Sequence, residues 1–180
     1  MTKSVASVAA AAAASVVLMV GGTASASPVR ATGVFGESAG AYTYNSAFVP
    51  VGSRAHVHAV ATGAGTTVVT LHAYGLLPDR EYGAHAHVAN CGPLPTDAGK
   101  HFQYVQGGAS DPAFANPDNE IWLDFTTDDE GNGQAMTVLD WQFPADRRAH
   151  SVVIHDHHTA TASGTAGTAG PRYACLTVAF

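Results

Sequence analysis

Arg54-Ala55-His56-Val57-His58-Ala59-Val60-Ala61-Thr62, the turn Gly63-Ala64-Gly65, and Thr66-Thr67-Val68-Val69-Thr70-Leu71-His72-Ala73-Tyr74 form the stretch on which the fold turns. In the first run Ala55, Val57 and Ala59 alternate with Arg54, His56 and His58, the period-two pattern of a half-buried strand. The second run is rich in Val and Thr, which suit a pleated surface, and the glycines between them mark a turn. Working outward, residues 41–48, 81–88, 120–127, 134–141, 149–155 and 173–180 read the same way. No segment after residue 26 keeps apolar side chains at helical spacing for three turns. The expected fold is all-β, with eight short antiparallel strands arranged as a sandwich or barrel.

Two intervals break this rhythm. Residues 89–119 carry Cys91 and several prolines, and are too long for an idle connection. Residues 156–171 are a Thr, Ala, Ser and Gly tract followed by a last strand with Cys175, so both ends are tied down. Both intervals are expected to be site-forming loops.

The 180 residues allow one ordinary domain, and 46% hydrophobic content with a charge of −6 excludes a disordered chain. The acidic balance also argues against nucleic acid as a partner. Residues 1–26 read as an export signal: Lys3, a run of Ala, Val, Leu and Met, then Thr23-Ala24-Ser25-Ala26 with its small-residue cleavage site. Removal after Ala26 leaves Ser27 first, with no cysteine for a lipid anchor, so a secreted or periplasmic protein without a membrane anchor is expected. Residues 27–40 are expected to be a flexible N-terminal segment and residues 41–180 the β domain. In an oxidising compartment Cys91 and Cys175 most economically form one disulfide.

Ten histidines outnumber the eight Lys and Arg. His85 and His87 lie two apart on a strand, which sends both rings to one face. His101 sits in the long loop just after Cys91, and His155 ends the run Ser151-Val152-Val153-Ile154. Four imidazoles without a thiolate suit copper better than calcium or magnesium, which take oxygen ligands; zinc would accept the same set. His157 and His158 follow closely enough to compete with His155. His56 and His58 form a second same-face pair without matching partners, read as surface residues, and His72 and His150 read as structural.

Five separated pieces resemble the copper/zinc superoxide dismutases. They are Gly75-Leu76-Leu77-Pro78 with Gly83-x-His85-x-His87, Ala98-Gly99-x-His101-Phe102, Val152-Val153-Ile154-His155, and Gly167-x-Ala169-Gly170-x-Arg172-x-Ala174-Cys175. The resemblance runs from about residue 66 to the end. It implies a Greek-key β-barrel, copper held by His85, His87, His101 and His155, a Cys91–Cys175 disulfide, and Arg172 beside the copper to attract the anion. The implied activity is disproportionation of superoxide to oxygen and hydrogen peroxide, with His101 and Arg172 in catalytic roles.

Two departures qualify it. No histidine occurs between Phe102 and Ala149, and the stretch offers only Asp111, Asp118, Glu120 and Asp124 as nearby acids. The family's zinc ligands are therefore missing, and the chain resembles a copper-only branch in which zinc is absent. Asp118 or Glu120 is then expected to orient His101, because a metal-bound imidazole usually anchors its other nitrogen. The loop between His155 and Arg172 holds 16 residues and a single acid, Asp156, which should leave the site open to solvent. A copper-binding or copper-delivery protein on the same fold, without turnover, is the competing expectation.

Overall fold

The computed structural model describes Met1, residues 27–38 and residues 40–180. The export signal falls, apart from Met1, outside the described residues. The strands in chain order are β1 (Val29–Val34), β2 (Glu37–Ser38), β3 (Ala41–Thr43), β4 (Arg54–Ala61), β5 (Thr67–Tyr74), β6 (Glu81–Tyr82), β7 (Ala84–His87), β8 (Phe125–Thr126), β9 (Gly133–Leu139), β10 (Ser151–His155) and β11 (Arg172–Thr177). One 3-10 turn, Pro95–Ala98, interrupts the long first loop. No helix among the described residues is long and apolar enough to cross a membrane.

The strands form a four-stranded sheet, β1-β4-β5-β9, and a five-stranded sheet, β2-β3-β11-β10-β7, with the small pair β6-β8 beside them. All strand pairs are antiparallel. The alternation read from the sequence places Ala55, Val57 and Ala59 of β4 and Val69, Leu71 and Ala73 of β5 inward. They meet Ala84 and Ala86 of β7, Val152 and Ile154 of β10, and Ala174 and Leu176 of β11 in one core. The result is an all-β sandwich. No closed barrel forms among the described residues, and the barrel alternative gives way to two separate sheets.

Three strands depart from the expected boundaries for local reasons. Residues 41–48 stop pairing after Thr43, where the Tyr44 and Asn45 amides both turn onto the carbonyl of Tyr173, at 2.7 and 3.1 Å. Residues 81–88 break at Gly83, whose carbonyl accepts from the His155 amide at 2.7 Å. A Cβ there would come within 2.6 Å of Ala169 Cβ, so the close approach requires glycine. In 120–127 only Phe125–Thr126 is regular; of the preceding residues Trp122 bridges His85 of β7 and Glu120 bridges Gln103 of the long loop.

The largest correction is at the start. Residues 27–40, expected to be flexible, hold β1 and β2, and β1 pairs with β4 along its whole length, from Val29 opposite Ala59 to Val34 opposite Arg54. Its Gly33 lies where a Cβ would meet Leu176 Cδ1 at 2.5 Å, so the strand crosses tightly over the core.

Candidate metal centre

On β7, Ala84 and Ala86 face the core, so the period of two puts His85 and His87 on the opposite face, where both are fully buried. On the adjacent β10, Val153 pairs with His85 and Ser151 with His87, and a register shift between Ile154 and His155 re-aims the last ring. His101 arrives from the long loop through a bridge to His87. The four rings converge: the His85 and His101 centroids are 4.1 Å apart, those of His87 and His101 4.7 Å, and those of His85 and His155 4.9 Å. One nitrogen from each ring falls within 4.8 Å of the other three.

The second nitrogen of each ring is accounted for. His87 Nδ1 lies 3.0 Å from the Gly99 carbonyl and His155 Nδ1 3.2 Å from that of Gly170, so each donates outward. His101 Nδ1 lies 2.8 Å from Glu120 Oε2. His85 Nε2 lies 2.6 Å from the Thr159 hydroxyl, which donates to Asp124 Oδ1 at 2.7 Å. This leaves three Nε2 atoms and His85 Nδ1 facing one another. His85 Nδ1 is buried and has no hydrogen-bond partner, a polar atom whose desolvation is uncompensated within the chain.

Burial keeps the His85, His87 and His155 rings neutral. Burial, reinforced by the neighbouring imidazoles, holds His85 and His87 well below the usual histidine range. Burial also takes His155 down to about 3, against the raising effect of the Gly170 carbonyl. Neutral imidazoles present lone pairs, which is the form a metal binds. Four nitrogen donors with no thiolate and no oxygen fit copper or zinc, not calcium or magnesium. By donor set and by the unpartnered His85 Nδ1, the residues fit such an ion.

Glu120 is 1% exposed and also accepts from Trp122 Nε1 and Gln103 Nε2, at 2.8 and 2.9 Å. Asp118, the other expected candidate, is exposed, and what it contributes is its carbonyl, to Trp141 Nε1 at 2.8 Å. Arg172, the first residue of β11, donates Nη1 to the Pro95 carbonyl at 2.7 Å and Nη2 to the Gly99 carbonyl at 2.6 Å. The Gly99 carbonyl thus ties the Arg172 guanidinium to the His87 ring. Gly99 holds φ 73° and ψ −153°, a conformation that needs glycine, and a Cβ would crowd Val88 Cγ2 at 2.9 Å.

Cys91 and Cys175 form a disulfide with Cα atoms 5.7 Å apart. It fastens the loop carrying Pro95 and Gly99 to the strand carrying Arg172. A cleft of about 480 Å³ opens beside the cluster, lined by His101, His155, Arg172, Lys100 and residues 167–170 among others.

The other histidines stand apart. His157 Nδ1 lies 2.8 Å from the His158 carbonyl, and His158 Nε2 donates to the Phe125 carbonyl at 3.1 Å, so the fourth ring of the cluster is His155. His56, His58 and His72 lie on the outer face of β4 and β5, and His150 is exposed. Sequence reasoning missed Thr159, and it noted Asp124 only as a nearby acid. No sequence signal joins residues 35 apart, because only the fold brings the hydroxyl between carboxylate and ring.

No family model and no curated protein matches the sequence. Solved structures do. The clock protein EA4 is 20% identical, with 89% of this chain and 98% of that chain covered at a TM-score of 0.57. A double mutant of a SOD-like protein from Bacillus subtilis is 14% identical, with 83% and 95% covered at a TM-score of 0.55. Likeness at these identities is likeness of fold, and the chain has the all-β sandwich of a SOD-like protein.

Proposed function

We propose that this chain is a secreted, copper-dependent superoxide dismutase with His85, His87, His101 and His155 as its metal ligands. The observation that carries the reading is the inward convergence of four imidazole nitrogens whose outer partners are all in place. The Cys91–Cys175 disulfide agrees with an oxidising compartment.

Bound copper would supply a one-electron couple, oxidising one superoxide to oxygen and reducing a second, which leaves with two protons as hydrogen peroxide. The chain's own residues set the conditions. Glu120 Oε2 keeps the proton on His101 Nδ1 and so keeps the Nε2 lone pair inward, and no second metal is needed to orient the ring. Gly99 and Gly170 do the same for His87 and His155. Arg172, pinned by two carbonyls that do not neutralise it, supplies a fixed positive charge at the cleft. In a chain of net charge −6 that charge acts as a local field, attracting a small anion and weakening with salt. The open cleft lets solvent deliver the protons.

The test compares the copper-loaded mature protein with free copper at equal concentration. Dismutation above the free ion is expected, with Arg172→Ala slowing it and flattening its salt dependence. Tight copper binding with turnover no faster than the free ion would identify a copper carrier instead and overturn the enzymatic reading.

A further inference from the structure

Lys and Arg are scarce in this chain, eight against fourteen acids, and they are unevenly placed. Lys100, Arg147 and Arg148 line one cleft of about 330 Å³ with His150, Gln103 and His101. Arg172 stands in the adjoining cleft, which Lys100 also lines. Half of the chain's cationic side chains therefore gather around His101.

None of Lys100, Arg147 and Arg148 forms an ion pair among the described residues, and the single acid in their cleft is Asp146. Lys100, Arg148 and His150 are exposed, whereas Arg147 is fixed. Its Nη1 donates to the Gln103 carbonyl at 2.9 Å and its Nη2 to the Tyr104 carbonyl at 2.6 Å, with the guanidinium 5.6 Å from the Phe102 ring centroid. Carbonyls hold a guanidinium in place without cancelling its charge. Three like charges on one concave wall repel, and a multiply charged anion relieves that repulsion more fully than a single carboxylate would.

The geometry points to a binding site for a small phosphate monoester between Lys100, Arg147, Arg148 and His150, distinct from Arg172 and from the metal cluster. A phosphate monoester carries about −1.5 to −2 at pH 7 and three acceptor oxygens, which matches this donor set. Val88, partly buried in the same cleft, gives its organic body an apolar surface. The site does not depend on the copper reading.

Calorimetric titration of the mature protein with glycerol 3-phosphate, at ionic strength held with sodium chloride, tests it. Saturable one-to-one binding is expected, equal before and after copper removal, weakened about tenfold by Arg148→Gln and unchanged by Arg54→Gln on the opposite sheet. Equal binding of acetate, or an Arg148→Gln protein that binds as tightly as the parent, overturns the site. So does attachment to phosphatidylglycerol vesicles without binding of the soluble ester, which would make the surface a lipid-headgroup contact. Whatever the result, the dismutation assay of the copper-loaded protein reads the other proposal separately.

Discussion

The two sheets differ in what covers their outer faces. Along β4 and β5 buried and accessible positions alternate, because one face meets the core and the other meets water. β7 and β10 are buried at every position. Their inner face joins the same core, and their outer face lies under the two long loops. Each polar side chain there finds at least one partner: Ser151 Oγ donates to the Ala89 carbonyl at 2.7 Å, and the histidines turn one nitrogen to the loops. A solvated face tolerates three histidines as surface residues, whereas a covered one turns the same residue type into a cluster.

Lowering the pH of the metal-free protein should strain this difference most. In the unfolded chain a histidine takes up its proton near 6.5, while folded His155 does so only at about 3 and His85 and His87 are likewise held low. Below 6.5 the unfolded state therefore binds more protons, and stability falls with pH by up to about 1.4 kcal/mol per unit for each ring. For His155 the loss levels off below about 3. Urea midpoints measured from pH 7 down to pH 4 should drop steadily, and bound copper should oppose the drop. A flat profile would mean that the outer face of β7 and β10 admits water.

Replacing both Cys91 and Cys175 by Ser should destabilise the protein by about 2–5 kcal/mol in denaturant titration. The loss should reach the site as well, since the loop that the disulfide fastens presents the Pro95 and Gly99 carbonyls to Arg172. A milder probe of the same cover is Val153→Thr. Val153 is wholly buried against Ala98 and Cys175, so a hydroxyl there loses water without gaining a partner and should cost about 1–3 kcal/mol.

The same asymmetry decides what could be read in the sequence. The pairing of 54–74 was legible because a half-solvated sheet writes its pattern as alternation. The His85 and His87 pair was legible because strand period alone sets its face. β1 was not, since Gly33 weakens the strand signal and the strand gains its place from packing on Leu176. The choice between Asp118 and Glu120 needed the fold: an Asn116 side chain closes a turn on the Asp118 amide, and the next residues carry Glu120 inward. Gly99 and Gly170 stand in the motifs, but that their carbonyls hold the His87 and His155 rings shows only in the fold. Thr159 belongs to this hidden set. Thr159→Val, which strips His85 Nε2 of its partner, should weaken copper affinity about tenfold in chelator competition, with Thr159→Ser restoring it. Unchanged affinity would show that His85 needs no outer anchor.

The smallest effect is expected on the solvated sheet. Val138 lies on the outer face of β9, opposite Val68 on β5, and is 57% exposed. The substitution Val138→Thr is chemically identical to the one at Val153, retains β-branching and so suits the strand equally well. Its hydroxyl stays in water, so stability should change by less than about 0.5 kcal/mol, and metal affinity should not change. Comparing the two variants cancels side-chain volume and strand preference and leaves only the cover over each face. Equal costs at the two positions would mean that the long loops do not seal β7 and β10, and that the neutrality of the buried rings has another origin.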